Sequence, residues 1–156
     1  MTSSEKIDTF WKDYLLTLPE NERHQTYFEA ASWGNSGELA DQISSLIVAG
    51  VKTTTSALLW AQQQENWPVE KPGDKCIVLD SRGIPVCITK ATEIFVKAFN
   101  EVSPDFVYNY GEGDRTMNFW NENMWEYYEG ECKALGLLAE KNMPMIYQVF
   151  KLIYKG

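Results

Sequence analysis

Two short segments of this chain carry more reactive side chains than turn formation or core packing requires: Gly50-Val51-Lys52-Thr53-Thr54-Thr55-Ser56 and Gly111-Glu112-Gly113-Asp114. In the first, one ammonium is followed directly by four hydroxyls. If the segment is extended, Lys52, Thr54 and Ser56 share one face and Thr53 and Thr55 the other; if it makes a helical turn, Lys52 meets Thr55 and Ser56. The second geometry sets an amine beside a hydroxyl, where a desolvated Lys takes the hydroxyl proton or a charged one holds an oxyanion. A Thr-rich strand start with Lys at its rim is the plain alternative. In the second segment, glycines on both sides of Glu112 give access to positive φ and can aim its carboxylate in an unusual direction, against the alternative of a solvated loop Glu. Asp114 reads as the N-cap of the helix that follows.

Other candidate chemistry falls away on spacing. Gly50-x-Lys52-Thr53 invites comparison with a phosphate-binding loop, but that pattern needs a glycine five residues upstream, and Ser45 stands there. The single His24 lies in a polar stretch with no partner at a metal or catalytic spacing and reads as surface. Cys76, Cys87 and Cys132 cannot all pair with one another, and none sits in a Cys-x-x-Cys or Cys/His metal pattern. They read as reduced thiols, which by default implies a cytoplasmic setting. No metal and no cofactor is implied. Trp33, Trp60, Trp67 and Trp120 could stack a base, although most aromatic side chains serve the core.

These segments need a scaffold, and the flanking sequence supplies one. Ile7, Phe10, Trp11, Tyr14, Leu15 and Leu18 predict an amphipathic helix over 4–18 behind a Thr2-x-x-Glu5 capping box, closed by Pro19. Tyr27 to Trp33 is aromatic without a helical period. Gly34 to Gly37 then opens a second helix, carrying Leu39, Ile43, Leu46 and Ile47, that ends at Gly50. Turns at Trp67-Pro68 and Lys71 to Asp74 lead into strands at Cys76–Asp80 and Ile84–Phe95. Ser103-Pro104 opens a short helix that Gly111 stops, and Asp114 starts a longer one through Leu135. Pro144 precedes a closing strand, Met145 to Tyr154. Helices, strands, helices and a last strand predict an α+β fold, and 156 residues with 44% hydrophobic content fit one domain. No apolar run reaches the length that spans a bilayer, so no membrane partner is expected. With 22 acidic against 14 basic residues the net charge is −8, which disfavours non-specific binding of long nucleic acid.

The order and spacing of these motifs resemble the ASCH family, a PUA-like group built on a small mixed β-barrel flanked by helices, and within it a longer bacterial branch of about 150 residues. The motifs are the Asp41 to Ser56 helix and its exit, Pro72-Gly73-Asp74, Leu79 to Pro85, Gly111 to Asp114 with Trp120, and Met143-Pro144. They cover about residues 33–154, with 1–32 a helical extension of the same domain. The resemblance implies a pocket at one barrel mouth, formed by the two segments singled out above. It also implies roles that some small members use on acetylated cytidine: Thr55 attacks the amide, Lys52 activates it and Glu112 orients or relays protons. Gly50, Thr53, Ser56, Trp33, Asp80, Asp114 and Trp120 are then expected around the substrate, a small nucleoside-like ligand. Other members imply RNA-binding modules or ribonucleases acting on single-stranded RNA, and a small-ligand sensor without turnover is a third possibility. The assembly is expected to be a monomer or homodimer. The sequence departs from the branch at Tyr110, where an acidic residue is usual, at Met124, where a His is common, and in lacking an Arg near the end of the Lys52 motif.

Overall fold

The computed structural model describes residues Met1–Gly156. Its centre is a five-stranded mixed sheet, in the order β1-β3-β4-β5-β2, curled into a half-barrel. The strands are β1 (Glu29–Ser32), β2 (Thr54–Leu58), β3 (Lys75–Leu79), β4 (Pro85–Ala98) and β5 (Pro144–Lys155). Only β1 and β3 pair in parallel; the other pairs are antiparallel. The long β4–β5 ribbon slips register between Ile88 and Thr89 and again between Ala91 and Glu93. Thr92 is left without a partner residue there, and its hydroxyl donates to the Val149 carbonyl. Extra residues of this kind bend and twist a strand, and they curl this sheet so that its two edge strands face the same space.

The helices are α1 (Ser3–Leu15), α2 (Gly37–Val48), α3 (Leu59–Gln64), α4 (Pro104–Tyr110), α5 (Met117–Phe119) and α6 (Trp125–Ala134). A wide π-helical turn, Trp120–Met124, joins α5 to α6. The Thr2–Glu5 capping box forms as the sequence predicts. α1 ends at Leu15 rather than Leu18, because the Thr17 hydroxyl takes the Tyr14 carbonyl and turns the chain away from the helix. The aromatic stretch before Trp33 holds β1, a strand too short to announce itself in sequence. No helix is long and apolar enough to cross a membrane.

Three apolar clusters fix the helices to the sheet. α1 lays Trp11 and Tyr14 on Ile77, Leu79 and Ile88, and α2 lays Ile43 and Ile47 on Val78, Cys87 and Phe150. The largest cluster gathers Phe106, Tyr110, Trp120 and Tyr128 from the later helices against Leu58, Met145 and Tyr147. The thiols of Cys76, Cys87 and Cys132 are all free and buried. Several motif residues serve this frame. The Asp41 carboxylate accepts from the backbone and hydroxyl of Ser81, clipping α2 to the β3–β4 hairpin, and Asp80 accepts from the backbone N–H groups of Arg82 and Ile84 inside that hairpin.

Candidate functional site

The segment around Lys52 leaves α2 through Gly50, whose φ of +76° ends the helix, and the Val51 and Lys52 N–H groups both bond back to the Leu46 carbonyl. This tight exit turns Lys52 inward until only 1% of it is exposed. The segment is extended from Thr54 on, so the helical-turn geometry does not form. Thr54 points at α4, donating its hydroxyl to the Phe106 carbonyl. The Lys52 ammonium lies 2.8 Å from a Glu112 carboxylate oxygen, donates to the Tyr110 carbonyl at 3.2 Å and sits 3.4 Å over the centre of the Tyr110 ring. Burial lowers its pKa to about 8, while the charge and hydrogen bond of Glu112 pull in the opposite direction.

The acidic loop reaches Lys52 because residue 111 is glycine. Gly111 ends α4 at φ +74°, and a Cβ there would stand 2.7 Å from the Val51 carbonyl oxygen and 2.9 Å from the Lys52 Cα. Backbone therefore packs directly on backbone, and Glu112 emerges beside the ammonium. Asp114 does not cap the next helix. Thr116 is its N-cap, and Asp114 accepts from the Thr116 N–H and hydroxyl one step earlier.

Above the Lys52–Glu112 pair lies a cavity of about 260 Å³. Both sheet edges line it, β1 through Glu29 and β2 through Thr55, Ser56 and Ala57, with Trp33, Leu39 and Ile43 as an apolar wall. On one side Ser56 Oγ joins two phenols, 3.1 Å from Tyr110 Oη and 2.6 Å from Tyr128 Oη. On another stand Glu29, Glu70 and Gln62. The Glu70 carboxyl is pushed up to about 7 by burial and by the charges of Glu29 and Asp74, against a hydrogen bond from Gln148. Glu29 is raised by burial. The Gln62 side-chain oxygen is buried without a partner. Three carboxylates thus line the cavity against one ammonium, that of Lys52.

The model of the ASCH domain family matches residues 29–154. The chain belongs to the ASCH domain family. Among solved structures, the ASCH domain from Lactobacillus crispatus JV V101 superposes with a TM-score of 0.91 at 26% identity, covering 96% of this chain and 95% of that one. Protein EF3133 from Enterococcus faecalis V583, described by the family model DUF984, gives 0.88 at 24% identity over 97% and 90%. No curated protein matches the sequence.

Within this ASCH domain, Lys52, Thr55, Ser56, Glu112 and Trp33 line one cavity, as the two-segment reading requires. The other expected contacts do not line it. Gly50 is exposed at the end of α2, and Thr53 is engaged through its backbone with Asn109 and Phe150. Asp80 is held in the β3–β4 turn by Arg82 and Ile84, and Asp114 is held by Thr116. Trp120 is wholly buried, stacked on Phe99 and donating its indole N–H to the Phe99 carbonyl. Sequence reasoning missed Glu29, Glu70, Gln62 and the two phenols on Ser56. The one available signal was Tyr110, noted only as a departure from an acidic position. The fold uses its ring as a floor under the ammonium and its hydroxyl as a partner for Ser56.

Proposed function

We propose that this ASCH domain hydrolyses a small nucleoside-like amide of the acylated-cytidine type, using Lys52, Thr55 and Glu112. The observation that carries this reading is a buried Lys, with its pKa lowered to about 8, on the floor of a small cavity that Thr55 also lines. With substrate bound, a free amine at Lys52 takes the Thr55 hydroxyl proton across the cavity that both residues line, as the Thr55 oxygen bonds to the amide carbon and the carbonyl electron pair moves to its oxygen. When that pair returns, the C–N bond breaks and the leaving nitrogen receives the proton from Lys52. Water then attacks the resulting ester, releasing the acid and restoring the Thr55 hydroxyl. Glu112 holds the ammonium between these steps.

The charge lining the cavity favours this substrate over RNA. A phosphate needs a free cation, and the only one here is already paired with Glu112. The test incubates the protein and its Lys52→Ala variant with acetylated cytidine and, separately, with short single-stranded RNA at low salt, followed by chromatography. Deacetylation lost in the variant is the expected result. Cleavage of RNA alone, lost likewise, would replace the reading with a ribonuclease; inertness toward both would leave a binding module.

A further inference from the structure

The three hydroxyls on the cavity wall allow a proton count. Tyr110, Ser56 and Tyr128 carry three O–H protons, and two hydrogen bonds, Tyr110 to Ser56 and Ser56 to Tyr128, use two of them. Neither phenol oxygen has another hydrogen-bond partner within 3.5 Å, although the two phenols influence each other at longer range. Burial raises both phenols above their ordinary value, so no proton is lost to ionisation near neutral pH. One O–H is therefore left without a protein acceptor. Tyr110 and Tyr128 are 4% and 2% exposed, and all three residues line the cavity, so the missing acceptor comes from whatever occupies it. The chain also has a choice of direction: reversing both hydrogen bonds moves the spare proton from one phenol to the other. Tyr127 lines the same cavity, but no hydrogen bond fixes its hydroxyl in place.

The position of this donor matches the chemistry proposed for Thr55. Thr55 and Ser56 alternate along β2 but both line the cavity, so the attacking oxygen and the hydroxyl chain open on the same space. Donors held in place before reaction, in a site closed to water, stabilise charge gathering on a carbonyl oxygen without reorganising. We infer that the Tyr110–Ser56–Tyr128 chain donates its spare proton to the carbonyl oxygen of the bound substrate and holds the oxyanion formed when Thr55 attacks. The substrate class follows: the reacting group is a hydrogen-bond acceptor, an amide or ester carbonyl. This inference rests on the hydrolytic reading of Lys52 and Thr55.

The test separates the two. Acetylated cytidine labelled with ¹³C at the acetyl carbonyl is bound to the Thr55→Ala protein, and its C=O stretch is recorded with and without Tyr110→Phe and Tyr128→Phe. A shift to lower frequency on binding, reduced in one phenylalanine variant and abolished when both are combined, is expected. In the enzyme with Thr55 intact the same substitutions should lower kcat about 100-fold, the usual scale for one oxyanion donor, with KM within a few-fold. The pH midpoint set by Lys52 should stay in place, which a general disturbance of the site would not allow. An unshifted carbonyl, or one equally shifted in the phenylalanine variants, overturns the donor assignment whatever the turnover. A shifted, Tyr-dependent carbonyl in a protein that does not turn over leaves the donor standing and overturns the hydrolytic reading alone. Failure of the ligand to bind overturns both.

Discussion

The two charged ends of the cavity solve the problem of burying ionisable groups in opposite ways. At the floor, an ammonium and a carboxylate neutralise each other at 2.8 Å, and a tyrosine face and a carbonyl complete the ammonium's surroundings. At the other end, Glu29 and Glu70 share a low-dielectric space without a cation, and the Glu70 carboxyl responds by holding its proton up to about pH 7. Compensation keeps charge available for chemistry; its lack converts a carboxylate into a group that is half neutral at physiological pH.

The sharpest break in that contrast is Lys52→Ala. It removes the base and strands Glu112, and it should lower kcat/KM on acetylated cytidine by about 10³-fold or more. Gly111→Ala attacks the same floor through the backbone. A Cβ at φ +74° would press on Val51 and Lys52, so a loss of about 2–4 kcal/mol is expected in urea unfolding, with the acidic loop displaced from Lys52. The third outcome concerns pH. With the Lys52 pKa near 8, the free amine is a tenth of the population at pH 7 and most of it at pH 9. Turnover should therefore rise about tenfold across that interval.

The smallest effect belongs to the uncompensated end. The folded pKa of Glu70 is raised from 4.5 to about 7, so the folded protein retains a proton that the unfolded chain gives up. Its contribution to stability is complete below pH 4.5 and is lost as pH rises through 7. Glu70→Gln should accordingly melt several degrees above the parent at pH 8, and the gap should close only below pH 4.5. An equal gap at both pH values would show that neither burial nor the neighbouring charges raise the Glu70 carboxyl in the folded protein.

Helix caps, glycine stops and the two reactive segments were legible because each is written in contiguous residues. Ser36, Ser103 and Gly111 do what their types require. The ASCH motifs also put Lys52 and Glu112 together correctly, since both follow helix ends whose geometry is local. Asp80 and Asp114 were misread for a related reason: an acidic residue between turn formers looks the same whether it faces a ligand or its own backbone. Here both bond to neighbouring N–H groups. Trp120 could not be told from a stacking platform without knowing that the wide turn after α5 directs it into the core. Glu29 and Glu70 were invisible because nothing in sequence relates them. They meet because β1 pairs with β3, and the loop leading into β3 carries Glu70 to the cavity that Glu29 lines.

The curl of the sheet has a mechanical consequence. The edge strands β1 and β2 sit at opposite ends of the strand order, with no hydrogen bond between them, and the cavity fills the seam. A ligand that touches Glu29 on one edge and Thr55 on the other acts as a clasp on an open cuff. Its arrival should slow amide exchange along both edges at once, while the β4–β5 spine, already paired on both sides, keeps its own pace.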